Sequence, residues 1–291
     1  SRGHDQGRSR DVDMRLPRYT HDLHYYTPKA EPLVPRAPEI AFNRVAFAAA
    51  HVVSDPVAER DPWIGRPAVD WENTLKFRHT LWDQGLGLAE AMDTAQRGMG
   101  VDWATARELI ERTMIEAKAH ALKPRVACGA GTDQVPTENL TSEAAIIAAY
   151  SEQMEAIEAA GGQILLMASR AMAALKGGPD SYARVYDALI SQASEPVILH
   201  WLGDMFDPAL TGHWGADDLN DAADAVLSII ETNAGKIDGI KVSLLEKERE
   251  EQFRARLPKG VKLYTGDDFN YAALIEGDGT YYSDALLGIF A

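Results

Sequence analysis

The chain has 291 residues, 46% of them hydrophobic, a formal charge of −15 and a single cysteine, Cys128. That length and apolar content allow one large α/β domain or two small ones and exclude a disordered chain. No uncharged apolar run reaches the roughly 18 residues of a membrane helix, a lone cysteine forms neither an internal disulfide nor a thiolate zinc cluster, and nucleic acid needs clustered lysine and arginine that this acidic chain lacks.

Residues 1–13 are polar and aperiodic, and Met14 follows them as a start methionine would. They read as a tag or disordered leader. Without a secretory h-region the expected compartment is the cytoplasm. Residues 14–43 form an N-terminal extension. Five prolines between Arg15 and Phe42 forbid a long helix, and His24-Tyr25-Tyr26 suits a β-hairpin or an extended arm.

From residue 44 to 291, apolar strand-like runs alternate with longer amphipathic segments, the signature of βα units. The predicted strands are 44–53, 87–92, 124–129, 164–169, 196–200, 237–245, 261–265 and 280–282. The predicted helices are 74–85, 103–122, 143–160, 179–192, 217–233, 246–257 and 271–276, with Ser142 as the N-cap of the third and Glu143 in its first turn. Eight βα-type strands in roughly 250 residues predict an α/β TIM (β/α)8 barrel. An open doubly wound sheet is the alternative, but no G-x-G-x-x-G opens the first helix. The C-terminal helix is missing. An uncovered strand would expose apolar surface, so truncation or a covering partner subunit is expected.

A TIM barrel builds its active site at the C-terminal ends of its strands. The polar residues predicted there are His51; Glu90, Asp93 and Thr94; Gly131, Thr132 and Asp133; Ser169 and Arg170; His200 and Asp204; Lys241 and Ser243; Gly266, Asp267 and Asp268; and Ser283 and Asp284. Lys241 stands out because it interrupts the β-branched run Ile237–Leu245. An unpaired buried ammonium is costly, so it points into a barrel or cleft, where an amine can attack a carbonyl to form a Schiff base. Alternatively it snorkels to water from a strand end. His51 is as easily a hydrogen-bonded core histidine, Glu90 and Asp93 as easily helix-capping carboxylates, and Arg170 a surface charge. The Trp201, Phe206 and Trp214 loop is a packed lid or a substrate platform. Convergence on one rim is the stronger signal.

Ile240-Lys241, the turn Thr265-Gly-Asp-Asp268, the turn Gly129-Ala-Gly-Thr132 and Pro196-Val-Ile-Leu199 together resemble the dihydrodipicolinate synthase/N-acetylneuraminate lyase superfamily, class I aldolases on TIM barrels. More narrowly, Ala46–Val53, Glu90–Arg97, His200-Trp-Leu-Gly203 and Tyr264–Asn270 resemble a DUF993-type branch. The resemblance implies that Lys241 is the Schiff-base lysine and that His200 replaces the proton-relaying tyrosine of a Y-N-x-P turn. Histidine suits that role because it titrates near neutrality. Where the superfamily carries G-T-T-G-E to hold a 2-keto acid, this chain reads Ala89-Glu-Ala-Met-Asp-Thr-Ala95. A carboxylate there repels a substrate carboxylate and accepts from hydroxyls.

The expectation is therefore a Schiff-base aldolase or lyase without a cofactor, acting on a small polyhydroxylated, keto-sugar-like carbonyl compound rather than pyruvate. Lys241 and His200 are the catalytic pair; His51, Glu90, Asp93, Thr94, Gly131, Thr132, Asp133, Arg170, Asp204, Gly266, Asp267 and Asp268 bind substrate. One alternative is a sugar isomerase or lyase holding a divalent metal through His51, Glu90, Asp93 and His200. Another is a non-catalytic sugar-binding barrel. The superfamily's habit suggests a homo-dimer or homo-tetramer, with neither nucleic acid nor membrane as partner.

Overall fold

The computed structural model describes residues 14–20, 22–27, 42–58, 67–95, 97–98 and 100–291, without the side chains of Met14 and Thr94. The expected leader, 1–13, lies outside the described residues. Two compact units divide the chain at residues 35 and 36.

In the first unit, β1 (Met14–Pro17) pairs antiparallel with β2 (Leu23–Tyr26), Arg15 opposite Tyr25. Arg18 N donates to Asp22 O across the connecting turn, and the Arg15 guanidinium lies 5.8 Å from the Tyr25 ring centroid. The second unit is a TIM barrel. Its strands are β3 (Ala46–Ala49), β4 (Gly87–Glu90), β5 (Val126–Ala130), β6 (Gln163–Leu166), β7 (Val197–Leu202), β8 (Ile237–Ser243), β9 (Lys262–Thr265) and β10 (Asp284–Leu287). They pair in parallel in chain order, and β10 closes the barrel against β3.

Side-chain alternation along the strands separates two cores. Phe47, Ala49, Ala89, Ala127, Leu165, Ile198, Tyr264 and Leu286 pack inside the barrel. Ala48, Leu88, Val126, Leu166, Leu199, Ile240 and Val242 face outward to the helices. Those helices are α1 (Trp71–Asp83), α2 (Trp103–Ala119), α3 (Glu143–Ala160), α4 (Arg170–Leu175), α5 (Gly178–Gln192), α6 (Leu219–Thr232), α7 (Lys247–Arg254) and α8 (Tyr271–Glu276). Side chains of Asp70, Asp102, Ser142, Ser169 and Asp218 cap the first turns of α1, α2, α3, α4 and α6, satisfying amides that a helix start leaves unpaired.

Two corrections to the sequence reading matter for the site. The aromatic, β-branched run 280–282 is not the eighth strand; Asp284–Leu287 is. Asp284 accepts from Val45 N at 2.6 Å at the strand's N-terminal end, so Ser283 and Asp284 sit away from the rim formed by the strands' C-terminal ends. The short helix α4 was not expected, and it places Arg170 in a helix's first turn just after β6.

The N-terminal end of the barrel is closed by a polar plug. Asp238 accepts from Lys262 Nζ at 2.7 Å, Tyr264 Oη at 2.6 Å and Arg125 Nη2 at 3.1 Å. Burial opposes the Asp238 charge, but these donors and the neighbouring cations outweigh it and hold the carboxyl below its usual range. Gly239 has no side chain because a Cβ there would come within 2.7 Å of the Tyr264 ring, which fills the barrel floor. Among the described residues no helix is long and apolar enough to cross a membrane.

Candidate active site

The C-terminal end of the barrel opens into a cavity of about 590 Å³. Strand parity builds it. Ile198, His200 and Leu202 share the inner face of β7, and Gly239, Lys241 and Ser243 share that of β8. His200 and Lys241 are register partners across the two strands. Neighbouring strands run about 4.8 Å apart, so the imidazole and the ammonium enter one space side by side. Gly266 follows β9 and packs on the lysine stem: a Cβ there would meet Ser243 Oγ and lie 2.9 Å from Lys241 Cε.

Lys241 is 5% exposed and makes no hydrogen bond or ion pair with any described residue. His200 is 1% exposed, and its Nε2 has no hydrogen-bond partner among the described residues although it lies out of reach of bulk water. Burial pushes the His200 imidazole down to about 3; the Lys241 charge adds to this, Asp93 opposes it and His213 reinforces it. The imidazole is therefore neutral at physiological pH, correcting the expectation that it titrates near neutrality. His213 lies buried with Nδ1 3.3 Å from Tyr182 Oη, and burial likewise holds it down at about 4 against a bond with the His200 backbone.

The loop after β4 delivers Asp93. Its path depends on Ala91, a non-glycine residue at φ 53°, a conformation costing on the order of 1–3 kcal/mol. Two arginines hold that turn. On one side Arg78 and Glu90 form a buried bidentate pair, both contacts 2.9 Å, and Glu90 Oε1 also accepts from Ala91 N. On the other, Arg97 Nη1 donates to Ala91 O and Gly129 O at 3.0 Å each. The rest of the Arg97 fork is committed to Asp133 at 3.1 and 2.5 Å and to Gln153 at 2.8 Å. Burial raises the Asp133 carboxyl, but the Arg97 and Gln153 contacts outweigh it and hold it below the usual range. Gln153 Oε1 also takes Gly131 N at 2.7 Å.

Of the expected residues, Lys241, His200, Asp93, Gly131, Thr132, Asp133, Arg170, Gly266 and Asp268 line this one cavity. Four do not. Glu90 points outward from β4, where Arg78 and Thr113 Oγ1 occupy both its oxygens. His51 is exposed, with its ring against Phe77. Asp204 is exposed outside the cavity lining. Asp267 is buried and caps its own turn through Phe269 N, Asn270 N and Asn270 Nδ2. The Thr94 side chain lies outside the described residues. The metal set of His51, Glu90, Asp93 and His200 is thus not assembled, since Glu90 is spent on Arg78 and His51 faces solvent. Among the described residues no group of three or more His, Cys, Asp or Glu is placed to hold a metal ion.

Several lining residues escaped the sequence reading. Arg97 has nothing in its local sequence to mark its role. Gln153 does not itself line the cavity but holds Arg97 and Gly131 N; it interrupts the apolar stripe of α3 (Ile146, Ala149, Tyr150, Met154, Ile157), and a buried polar residue on such a stripe is a usable signal. Ser169 and Ser243 stand on the expected rim without an expected binding role, Phe206 from the expected lid or platform loop does line the cavity, and nothing in the sequence marks Asp207 and Leu210 as turning inward. Trp201 and Trp214 are buried in the outer core, not in the cavity.

The family model described as "Protein of unknown function (DUF993)" matches residues 14–291. No curated protein matches the sequence. Among solved structures, dihydrodipicolinate synthase from Aquifex aeolicus is similar at a TM-score of 0.59 and 12% identity, over 84% of this chain and 69% of that one. The 4-hydroxy-tetrahydrodipicolinate synthase from Methylacidiphilum fumariolicum SolV gives 0.60 and 16%, over 84% and 67%. The 2-keto 3-deoxygluconate aldolase from Picrophilus torridus gives 0.57 and 12%, over 86% and 75%. At these identities the likeness is one of fold.

Proposed function

We propose that this chain, which belongs to the DUF993 family, is a Schiff-base-forming lyase for a polyhydroxylated carbonyl compound. The observation that carries the reading is the pairing of Lys241 with His200 at the cavity floor, where among the described residues neither the lysine nitrogen nor the Nε2 of the neutral imidazole has a partner. The barrel shared with a dihydrodipicolinate synthase and a 2-keto 3-deoxygluconate aldolase supports the class of chemistry by analogy of fold.

In the proposed reaction the Lys241 amine adds to the substrate carbonyl, and the carbinolamine loses water to give an imine. A base removes the proton of the hydroxyl two carbons away. Its oxygen electrons form a new carbonyl as the carbon–carbon bond breaks, and the bond's electron pair moves into the imine to leave an enamine. Protonation of the enamine carbon and hydrolysis return the lysine and release the second product. A neutral imidazole donates at one nitrogen and accepts at the other, so His200 passes protons between substrate oxygens without resting as a cation.

The substrate preference follows from what the cavity leaves unspent. A carboxylate beside the reacting carbonyl would need a free cation or amides at the floor. The Arg97 fork is committed to Asp133, Gln153 and two carbonyls, and the amides of Gly131 and Gly266 are bonded to Gln153 and to Val242 O. Ser243 and Asp268 instead offer a hydroxyl and a carboxylate, which suit a polyol and not pyruvate.

Borohydride reduction in the presence of dihydroxyacetone, glyceraldehyde, erythrulose or pyruvate, followed by peptide mass analysis, tests this. The expected adduct is on Lys241, forms with a polyhydroxylated compound in preference to pyruvate and disappears in Lys241→Ala. An adduct on another lysine, or one that survives the substitution, refutes the mechanism. Saturable sugar binding without adduct or turnover would leave the non-catalytic reading.

A further inference from the structure

Among the described residues three cations line the cavity, and they differ in how much of their hydrogen-bonding capacity the protein consumes. Arg97 is buried and donates to two carbonyls, Asp133 and Gln153, which is what a structural arginine here looks like. Lys241, at the floor, is 5% exposed and without a partner among the described residues. Arg170 is the third. It opens α4, its side chain is 51% exposed, and it donates one hydrogen bond, from Nε to Asp207 Oδ2 at 2.6 Å. Its Nη1 and Nη2 have no partner among the described residues.

The brace on Arg170 is itself fixed. Asp207 Oδ1 accepts from Ala209 N and caps the short turn 208–210, leaving Oδ2 for the arginine. On the other side, Ser169 is locked by Thr132 Oγ1 at 2.8 Å and by its cap to Met172 N. A guanidinium held through Nε keeps its Nη1/Nη2 edge for a planar or tetrahedral oxyanion, in the fork geometry arginine favours. In a chain of net charge −15, long-range attraction does not bring an anion in, so a local cation must hold one.

We propose that Arg170, braced by Asp207, is an anion subsite at the cavity mouth, and that the substrate carries a phosphate monoester or a carboxylate at the end remote from its reacting carbonyl. This rests on the imine reading for the role of Lys241. The substrate would span the cavity, with its carbonyl at Lys241, its hydroxyls against the acceptors between, and its anionic end at Arg170. Opposite spare cations at floor and mouth give the cavity a direction, which sets which end of the substrate enters first.

The test uses the whole chain and two matched pairs of probes, dihydroxyacetone with dihydroxyacetone phosphate, and propanal with succinic semialdehyde. Equilibrium binding by calorimetry and borohydride trapping on Lys241 are read separately. In the wild type at least one anionic probe should bind about 10–100-fold more tightly than its neutral partner, the factor expected of charge-assisted hydrogen bonds. Which pair shows the larger ratio distinguishes phosphate from carboxylate. In Arg170→Ala the ratio should collapse to within about threefold, and Arg170→Lys should keep part of it, a point charge without the fork. Equal binding within both pairs in the wild type, or a ratio that survives Arg170→Ala in a protein of native thermal stability, overturns the subsite. Anion preference without any adduct on Lys241 would sink the imine reading and leave the subsite standing. An adduct formed without anion preference would do the reverse.

Discussion

Replacing Glu90 by glutamine separates a structural carboxylate from a substrate-binding one. In the structure Glu90 is fully buried, takes both donors of the Arg78 edge at 2.9 Å, and accepts from Thr113 Oγ1 at 2.7 Å and Ala91 N at 2.9 Å. Glutamine keeps the shape but removes the charge and turns one acceptor into a donor facing Arg78, leaving a guanidinium of 0% exposure without a counter-charge. Breaking one side of such a pair costs about 3–5 kcal/mol, a large part of the roughly 5–15 kcal/mol that holds a domain together. For a domain of this size the melting temperature should fall by roughly 6–20 °C. Urea unfolding followed by circular dichroism gives the free energy directly, with the slope against urea unchanged if only the native state is affected. The double variant Glu90→Leu with Arg78→Met should recover most of the loss, because an apolar pair of similar volume avoids the desolvation penalty. A Glu90→Gln protein within about 1 kcal/mol of the wild type but altered in substrate preference would refute this reasoning and return Glu90 to the cavity.

Other outcomes follow from the same geometry. The folded-state values of His200 and His213, about 3 and about 4, lie below the unfolded value near 6.5. The unfolded chain therefore binds protons first, and stability falls as pH drops from about 6.5 towards those values, by up to ~1.4 kcal/mol per pH unit for each histidine. Urea titrations between pH 7 and 4 should show that slope reduced in His213→Gln, and an unchanged slope would count against a buried neutral ring. Gly266→Ala should cut the rate of borohydride trapping at least tenfold, since its Cβ would press on Ser243 Oγ and Lys241 Cε; a wild-type rate would show that Lys241 does not need that approach. Asp238→Asn, at the opposite end of the barrel, should cost about 2 kcal/mol, the worth of charge-assisted bonds from Lys262 and Tyr264, and should leave the trapping yield of the folded protein intact.

The barrel was legible because eight strand-like runs alternate with helical segments and because helix-starting side chains such as Ser142 announce themselves locally. The last strand was misplaced for an equally local reason. Thr280-Tyr-Tyr282 has the higher strand propensity, yet it is Asp284–Leu287 that finds β3 and β9 as hydrogen-bonding neighbours. The site was legible in part. Lys241 and His200 are conspicuous as polar residues inside apolar runs, and the turn residues Gly131–Asp133 and Gly266 follow their strands directly. Arg97, Asp207 and Gln153 were missed because their roles are set by partners 20 to 60 residues away in the chain.

By itself, the sequence determined that the chain forms a parallel barrel and that one lysine and one histidine stand on adjacent strands near their C-terminal ends. It did not determine which way each polar side chain turns. Strands of a parallel barrel are buried on both faces, so hydrophobicity does not distinguish inside from outside. Glu90 and Asp93, three residues apart, show the consequence. The parity of β4 sends Glu90 outward to Arg78, and the left-handed turn at Ala91 brings Asp93 back into the cavity. Only the tertiary structure made that choice, because register between strands and the arginines that brace the turn exist nowhere in the local sequence.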